Sequence, residues 1–154
     1  GLSVYELSEI KNEWIDYIDT IQIPISLYDR RAENHPLLKV LVEKEVKIRA
    51  RSIFMQGLIL EKHNKWPSYM SKELKGVHKV VSKEAEMQNR SMLELAVDYI
   101  KELGIVYEML VGITSEKELK EITNAFNKRS VGNAKGIENS VFTSSAVDPR
   151  YWKK

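Results

Sequence analysis

Four times along this chain a short run of alternating or β-branched residues is followed by helical spacing. The runs are Gly1–Tyr5 (GLSVY), Thr20–Ile25 (TIQIPI), the stretch from Val46 (VKIRAR) and Val106–Ile113 (VYEMLVGI). Helices are expected over about Glu6–Ile18, from Pro36 through LLKVLVEKE, over about Tyr69–Glu86, from Ser91 to Leu103, and from Ser115 to about Lys128. Strands that alternate with helical crossovers lie parallel in one sheet, so the pattern predicts an α/β fold.

Local signals refine each unit. Leu7, Ile10, Trp14 and Ile18 share one face of the first predicted helix. Pro24 cannot donate to a ladder and marks the end of its strand. SLYDRRAENH then reads as a polar loop, and Pro36 opens a helix at its first position. In the stretch Val46–Leu60 (VKIRARSIFMQGLIL), Val46, Ile48 and Ala50 point one way and Lys47, Arg49 and Arg51 the other. Ser52, Gln56 and Gly57 then break an apolar run. A buried strand ending in polar groups and a glycine is how an α/β barrel builds a ligand site at its mouth. Leu74, Val77, Val80 and Val81 form the expected buried stripe of the next helix. Ser91 and Glu94 form a capping box, Gly104 stops that helix, and Ser115 with Glu118 forms a second box. The tail SVGNAKGIENSVFTSSAVDPRYWKK lacks periodicity, which divides the chain into residues 1–128 and an irregular extension, 129–154.

Composition narrows the function classes. At 154 residues, 43% hydrophobic and 30% charged, the chain suits one globular domain. No apolar run approaches a bilayer span, and GLSVYELSEIKNEW does not resemble a signal peptide. There is no cysteine, so disulfides and thiolate chemistry are excluded; a cytoplasmic location is the expectation. The 24 basic and 22 acidic residues are interleaved, which gives no basic surface for nucleic acid.

The series GLSVY, IQIPISLYDRR, RARSIFMQGLIL and MLVGITSEKELKEI resembles the C-terminal half of aldo/keto reductases. That resemblance implies the second half of a TIM-type (β/α)8 barrel, with GLSVY as its fifth strand. It implies an NAD(P)H-dependent carbonyl/aldehyde oxidoreductase, with NADP or NAD as cofactor and a small carbonyl compound as substrate. The family's catalytic Asp, Tyr, Lys and His belong to the first half and have no counterpart here; His35, His63 and His78 do not match the catalytic His. The resemblance therefore implies a chain that is inactive alone and needs an N-terminal half or a second copy, as a homodimer.

Carried over by position, Ser3 and Gln22 would hold the nicotinamide carboxamide, with Val4 where an Asn is usual. Arg51 would pack flat on the nicotinamide ring, since a planar guanidinium stacks as an aromatic ring does. Ser52 and Gln56 would lie near the pyrophosphate. Gly112, Thr114 and Ser115 would hold the adenosine phosphate, and Glu121 would contact the adenine, with Ile122 in place of an Asn. Glu118 stands where the family often has Arg or Gln, and Ser26 replaces an Asn.

The residues also support plainer readings. The helix at Ser115 could bind phosphate through its free N–H groups, but Glu116 and Glu118 already complement its dipole and would repel a 2′-phosphate. Gln22 fits a ligand contact and a solvated face equally. Arg49 suits an ion pair with Asp29 or Glu33, and Asp29 with Arg30 and Arg31 suits pinning of a loop. Trp14, Trp66 and the methionines suit packing, and the three histidines are too scattered to bind metal. The Trp66-Pro67 loop and the PRYW tail are the candidates to shape a substrate pocket. The alternative to an enzyme is a non-catalytic half-barrel that binds a nucleotide or a protein partner, or self-associates.

Overall fold

The computed structural model describes residues 1–130, 132–134 and 142–152. Strands β1 (Leu2–Ser3), β2 (Thr20–Pro24), β3 (Lys47–Arg51) and β4 (Val106–Met109) lie in sequential order in one 4-stranded sheet, and every neighbouring pair is parallel. Among the described residues β1 and β4 are its edges. Helices α1 (Pro36–Glu43), α2 (Lys72–Met87), α3 (Met92–Leu103) and α4 (Glu116–Asn127) follow the strands in alternation. The α/β class expected from the rhythm is the observed one.

Strand alternation creates two unlike faces. Ile21, Ile23, Ile48 and Ala50 are buried in one core with Leu41, Leu74, Leu95 and Tyr99. Burying each of these Ile and Leu side chains contributes about 1.5–3 kcal/mol, so this face holds helices and sheet together. On the opposite face Ser3 pairs in register with Gln22, Gln22 with Arg49, and Arg49 with Glu108. They form one polar row across all four strands, closed by an ion pair of 2.8 Å between Arg49 Nε and Glu108 Oε2. Arg49 thus finds Glu108 rather than Asp29 or Glu33.

The caps follow the sequence closely at α1 and α3. His35 Nδ1 accepts from the Leu37 N–H at 3.2 Å ahead of Pro36. Both bonds of the Ser91–Glu94 box are present, and Gly104 ends α3 at φ 69°.

Several segments depart from the sequence expectation. Glu6–Ile18 is not an α-helix but two 3-10 turns, Leu7–Glu9 and Asn12–Tyr17. The tighter i→i+3 geometry rotates Ile15 inward and leaves Trp14 half-exposed under the Lys11 ammonium. In α2 the buried stripe is Leu74, His78, Val81 and Ala85, whereas Val80 faces solvent. A stripe containing a His and an Ala carries little hydropathy signal. Strand β4 ends at Met109, short of the expected Ile113. Among the methionines Met55 and Met70 are core, but Met87 is exposed. The polar-looking loop after β2 is interior, with Ser26, Leu27, Tyr28, Asp29 and Arg30 all buried. The described tail is not loose either: a helical turn at Ser144–Val147 and a 3-10 turn at Pro149–Tyr151 carry Val147 and Trp152 into the core, beside Phe142.

Candidate functional site

The chain leaves β3 through an unusual turn. Ser52, Met55 and Gln56 have φ of 58°, 48° and 55°, and Gly57 follows at 86°. Only glycine adopts that left-handed region freely, so the turn needs support from packing, to which buried Ile53 and the side chain of Met55 contribute. Hydrogen bonds from the Met55 N–H to the Ser52 carbonyl (2.8 Å) and from the Gly57 N–H to the Phe54 carbonyl (2.9 Å) tighten it. After β4, the Leu110 N–H still bonds to the Ala50 carbonyl, and the chain then runs exposed to Thr114.

Between these two strand ends lies a cleft of about 830 Å³, within the range of small-molecule sites. Ser52, Gln56, Gly112, Thr114 and Glu121 line it, together with Glu118 and the N-terminal end of α3 at Ser91. Five of the positions singled out from sequence are thus brought to one place. Ser115 caps α4 beside the cleft but does not line it. Ser3, Gln22 and Arg51 lie elsewhere: Ser3 and Gln22 sit side by side on the polar sheet face, and Arg51 pairs in register with Pro24 at its end. Arg51 reaches from the cleft side to the end of β1. One guanidinium nitrogen donates to the Ser52 hydroxyl (3.4 Å) and another to the Val4 carbonyl (3.1 Å). Its planar group lies 4.4 Å from the Tyr5 ring, and the Arg150 guanidinium lies 3.8 Å from the same ring.

Two helix N-termini reach the cleft, and each is closed by its own glutamate. At α3, Glu94 accepts from the Ser91 N–H and from Lys128 Nζ at 2.6 Å; Lys128 first, then the Ser91 N–H, holds its carboxyl below the usual range. At α4 the second capping box is only half-formed. Ser115 Oγ accepts from the Glu118 N–H at 3.2 Å, but the Glu118 carboxylate turns to the preceding residue. It accepts from the Thr114 N–H at 2.7 Å and from the Thr114 hydroxyl at 3.0 Å. Those bonds, the N–H first, lower the Glu118 pKa. At α4 the Thr114 N–H already serves a carboxylate and the Glu118 N–H the Ser115 hydroxyl.

Sequence reasoning missed the ordered centre behind this site. His78 is 1% exposed. Its Nδ1 lies 2.7 Å from the Tyr28 hydroxyl and its Nε2 2.8 Å from the Glu61 carbonyl oxygen, and its ring stacks on Trp66 at 4.6 Å. Burial, above all, lowers its pKa. A single His in a charged helix gave no signal of this. The loop-pinning role read for Asp29 has a specific form: Arg31 forks onto Asp29 with two bonds of 2.8 Å and reaches Glu6 at 2.7 Å. Ser144 donates to Glu6 at 2.6 Å, and that bond is the chief reason the Glu6 pKa is lowered. Among the described residues no cluster of His, Asp and Glu could hold a metal ion, and no helix is long and apolar enough to cross a membrane.

The model of the aldo/keto reductase family matches residues 1–133. The chain belongs to the aldo/keto reductase family. Two solved structures share its fold, the apo and holo forms of aldo-keto reductase AKR11C1 from Bacillus halodurans. They are 19% identical to it, with TM-scores of 0.73 and 0.74. They cover 94% and 95% of this chain, which in turn covers 52% of each of them. The chain thus spans about half the length of these aldo-keto reductases, and its parallel strands with alternating helices share their TIM-barrel fold. No curated protein sequence matches it.

Proposed function

We propose that this chain is the cofactor-holding half of an NAD(P)H-dependent carbonyl/aldehyde oxidoreductase of aldo/keto reductase type. One observation carries the reading. A cleft at the C-terminal ends of β3 and β4 gathers Ser52, Gln56, Gly112, Thr114 and Glu121, and Arg51 bonds both Ser52 beside it and the Val4 carbonyl that follows Ser3. C-terminal strand ends are where barrels of this class bind ligands.

The residues present fit a dinucleotide better without a 2′-phosphate than with one. The Thr114 N–H and hydroxyl are engaged by Glu118, and Glu121 adds a second carboxylate to the cleft. Both acids suit acceptance from ribose hydroxyls and repel a phosphate. NAD is therefore the favoured cofactor over NADP. Ser3 and Gln22 would orient the carboxamide, Arg51 would pack against the ring, and Ser52 and Gln56 would stand near the pyrophosphate. When bound, the cofactor supplies the hydride for carbonyl reduction. The proton donor that must act with it is assigned to an N-terminal half or to a second copy pairing with the open edges of β1 and β4. In this reading residues 1–128 form the half-barrel, 129–154 an extension, and the protein works in the cytoplasm on a small carbonyl substrate.

The second reading is a non-catalytic half-barrel that self-associates. It is favoured by the exposed Val111, Ile113, Leu119 and Phe126 beside β4. Titrating NADH and NADPH into the isolated chain, with an aldehyde reduction assay in parallel, separates the readings. The expected result is NADH binding tighter than NADPH and no turnover. Absence of binding by either nucleotide would sink the cofactor-holding reading, and turnover would sink the dependence on a second half.

A further inference from the structure

We propose that His78 is a positioning residue that latches one wall of the cleft, so that ligand affinity there depends on this imidazole staying neutral. The inference rests on the reading of the cleft as a nucleotide site. Its structural part stands on separate observations.

The wall is the segment from Ser52 to Leu60, which contributes Ser52, Phe54, Gln56, Gly57 and Leu60 to the cleft. Its backbone is left-handed at four positions, three of them not glycine. Such a turn does not persist on local preference and needs anchors. At one end it continues β3. At the other, the Glu61 carbonyl oxygen accepts from His78 Nε2 at 2.8 Å and from Trp66 Nε1 at 3.3 Å. Trp66 Nε1 also donates to the Leu58 carbonyl at 2.8 Å, and the Trp66 ring stacks on His78. The imidazole thus ties α2 to the far end of the wall.

The tautomer follows from the partners. A carbonyl oxygen only accepts, so Nε2 carries the proton and Nδ1 accepts from the Tyr28 hydroxyl. Tyr28 belongs to the loop after β2 and is fully buried. One neutral side chain therefore joins three segments. A second proton would place a charge at a site shut from water. The titratable neighbours do not relieve it: Tyr28 faces it from the β2 loop, and His63 from the β3 loop opposes its protonation. The Glu61 carboxylate pairs with Lys65 at 3.4 Å.

Amide hydrogen exchange over residues 52–60, corrected for intrinsic chemistry, tests the latch alongside NADH titration. Between about pH 7.5 and about pH 5.5, exchange should rise by up to about tenfold as protonation favours the opened wall, and NADH affinity should fall in proportion to the closed fraction that is lost. His78→Gln keeps an N–H for the Glu61 carbonyl but cannot titrate, so its exchange should be flat across that range. His78→Leu should exchange fast at both ends. The latch is overturned if wild-type exchange is flat with pH, if the pH response survives in His78→Gln, or if a folded His78→Leu protects the wall as well as wild type does. If His78→Leu does not fold, the His78→Gln profile decides. NADH failing to bind at any pH would defeat the nucleotide reading, while the exchange profile would still decide the latch.

Discussion

The junctions after β2 and after β4 occupy equivalent places in the sheet and are built in opposite ways. After β2 the chain is interior. Tyr28 and Leu27 are fully buried, Asp29 and Arg31 form a forked ion pair, and Glu6, Ser144 and Asp148 close around it from distant segments. After β4 the chain is open: Val111 and Ile113 face solvent, and so do Leu119 and Phe126 of α4. The difference lies in neighbours rather than in composition. The β2 junction is flanked by strands on both sides, whereas β4 is an edge. A junction inside a sheet can bury charges because partners arrive from either side. One at the edge keeps its apolar surface until something covers it.

This contrast can be broken at its strong end first. Arg31→Ala strands the buried Asp29 and should cost about 3–5 kcal/mol in urea unfolding, the range for breaking a buried pair by removing one partner. A loss under about 1 kcal/mol would mean that the β2 junction is no more locked than a surface loop. Next comes acidity. The folded pKa of His78 lies below its ordinary value of 6.5, so the unfolded chain binds the extra proton first. Its contribution to stability is therefore complete above 6.5, falls as pH drops below that value, and stops changing below the folded pKa. Thermal unfolding of wild type against His78→Gln across that window checks the sign. Ser91→Ala removes a fully formed cap at the inner of the two helix N-termini and should cost about 1 kcal/mol. The smallest effect belongs to the open end. Leu119→Lys and Phe126→Lys should change the melting of the isolated chain by no more than about 0.5 kcal/mol equivalent. A larger loss that grows with protein concentration would show that a second copy covers this face.

The fold was readable because its signals are local. Ile21, Ile23, Ile48 and Ala50 alternate, Ser91 and Glu94 sit at capping distance, and Gly104 falls where a helix must stop. The link between β1 and β2 was misread because Leu7, Ile10, Trp14 and Ile18 match an α-helical period that 3-10 turns replace. In α4 the spacing of Ser115 and Glu118 signalled a reciprocal box. The carboxylate instead chose Thr114, which offers both an N–H and a hydroxyl. The candidate positions were named from the sequence one by one. Their division between the cleft and the polar sheet face was not, because strand register and the left-handed turn at Ser52 set it.

By itself the sequence determined the parallel α/β order and carried the family resemblance, since both rest on short runs of neighbouring residues. Only the tertiary structure decided that Arg49 pairs with Glu108, that the tail enters the core, and that His78, Tyr28 and Trp66 meet behind the cleft. Those contacts join residues far apart in sequence. A buried polar side chain takes whichever partner the packed fold brings within hydrogen-bond reach, and no local pattern records that choice.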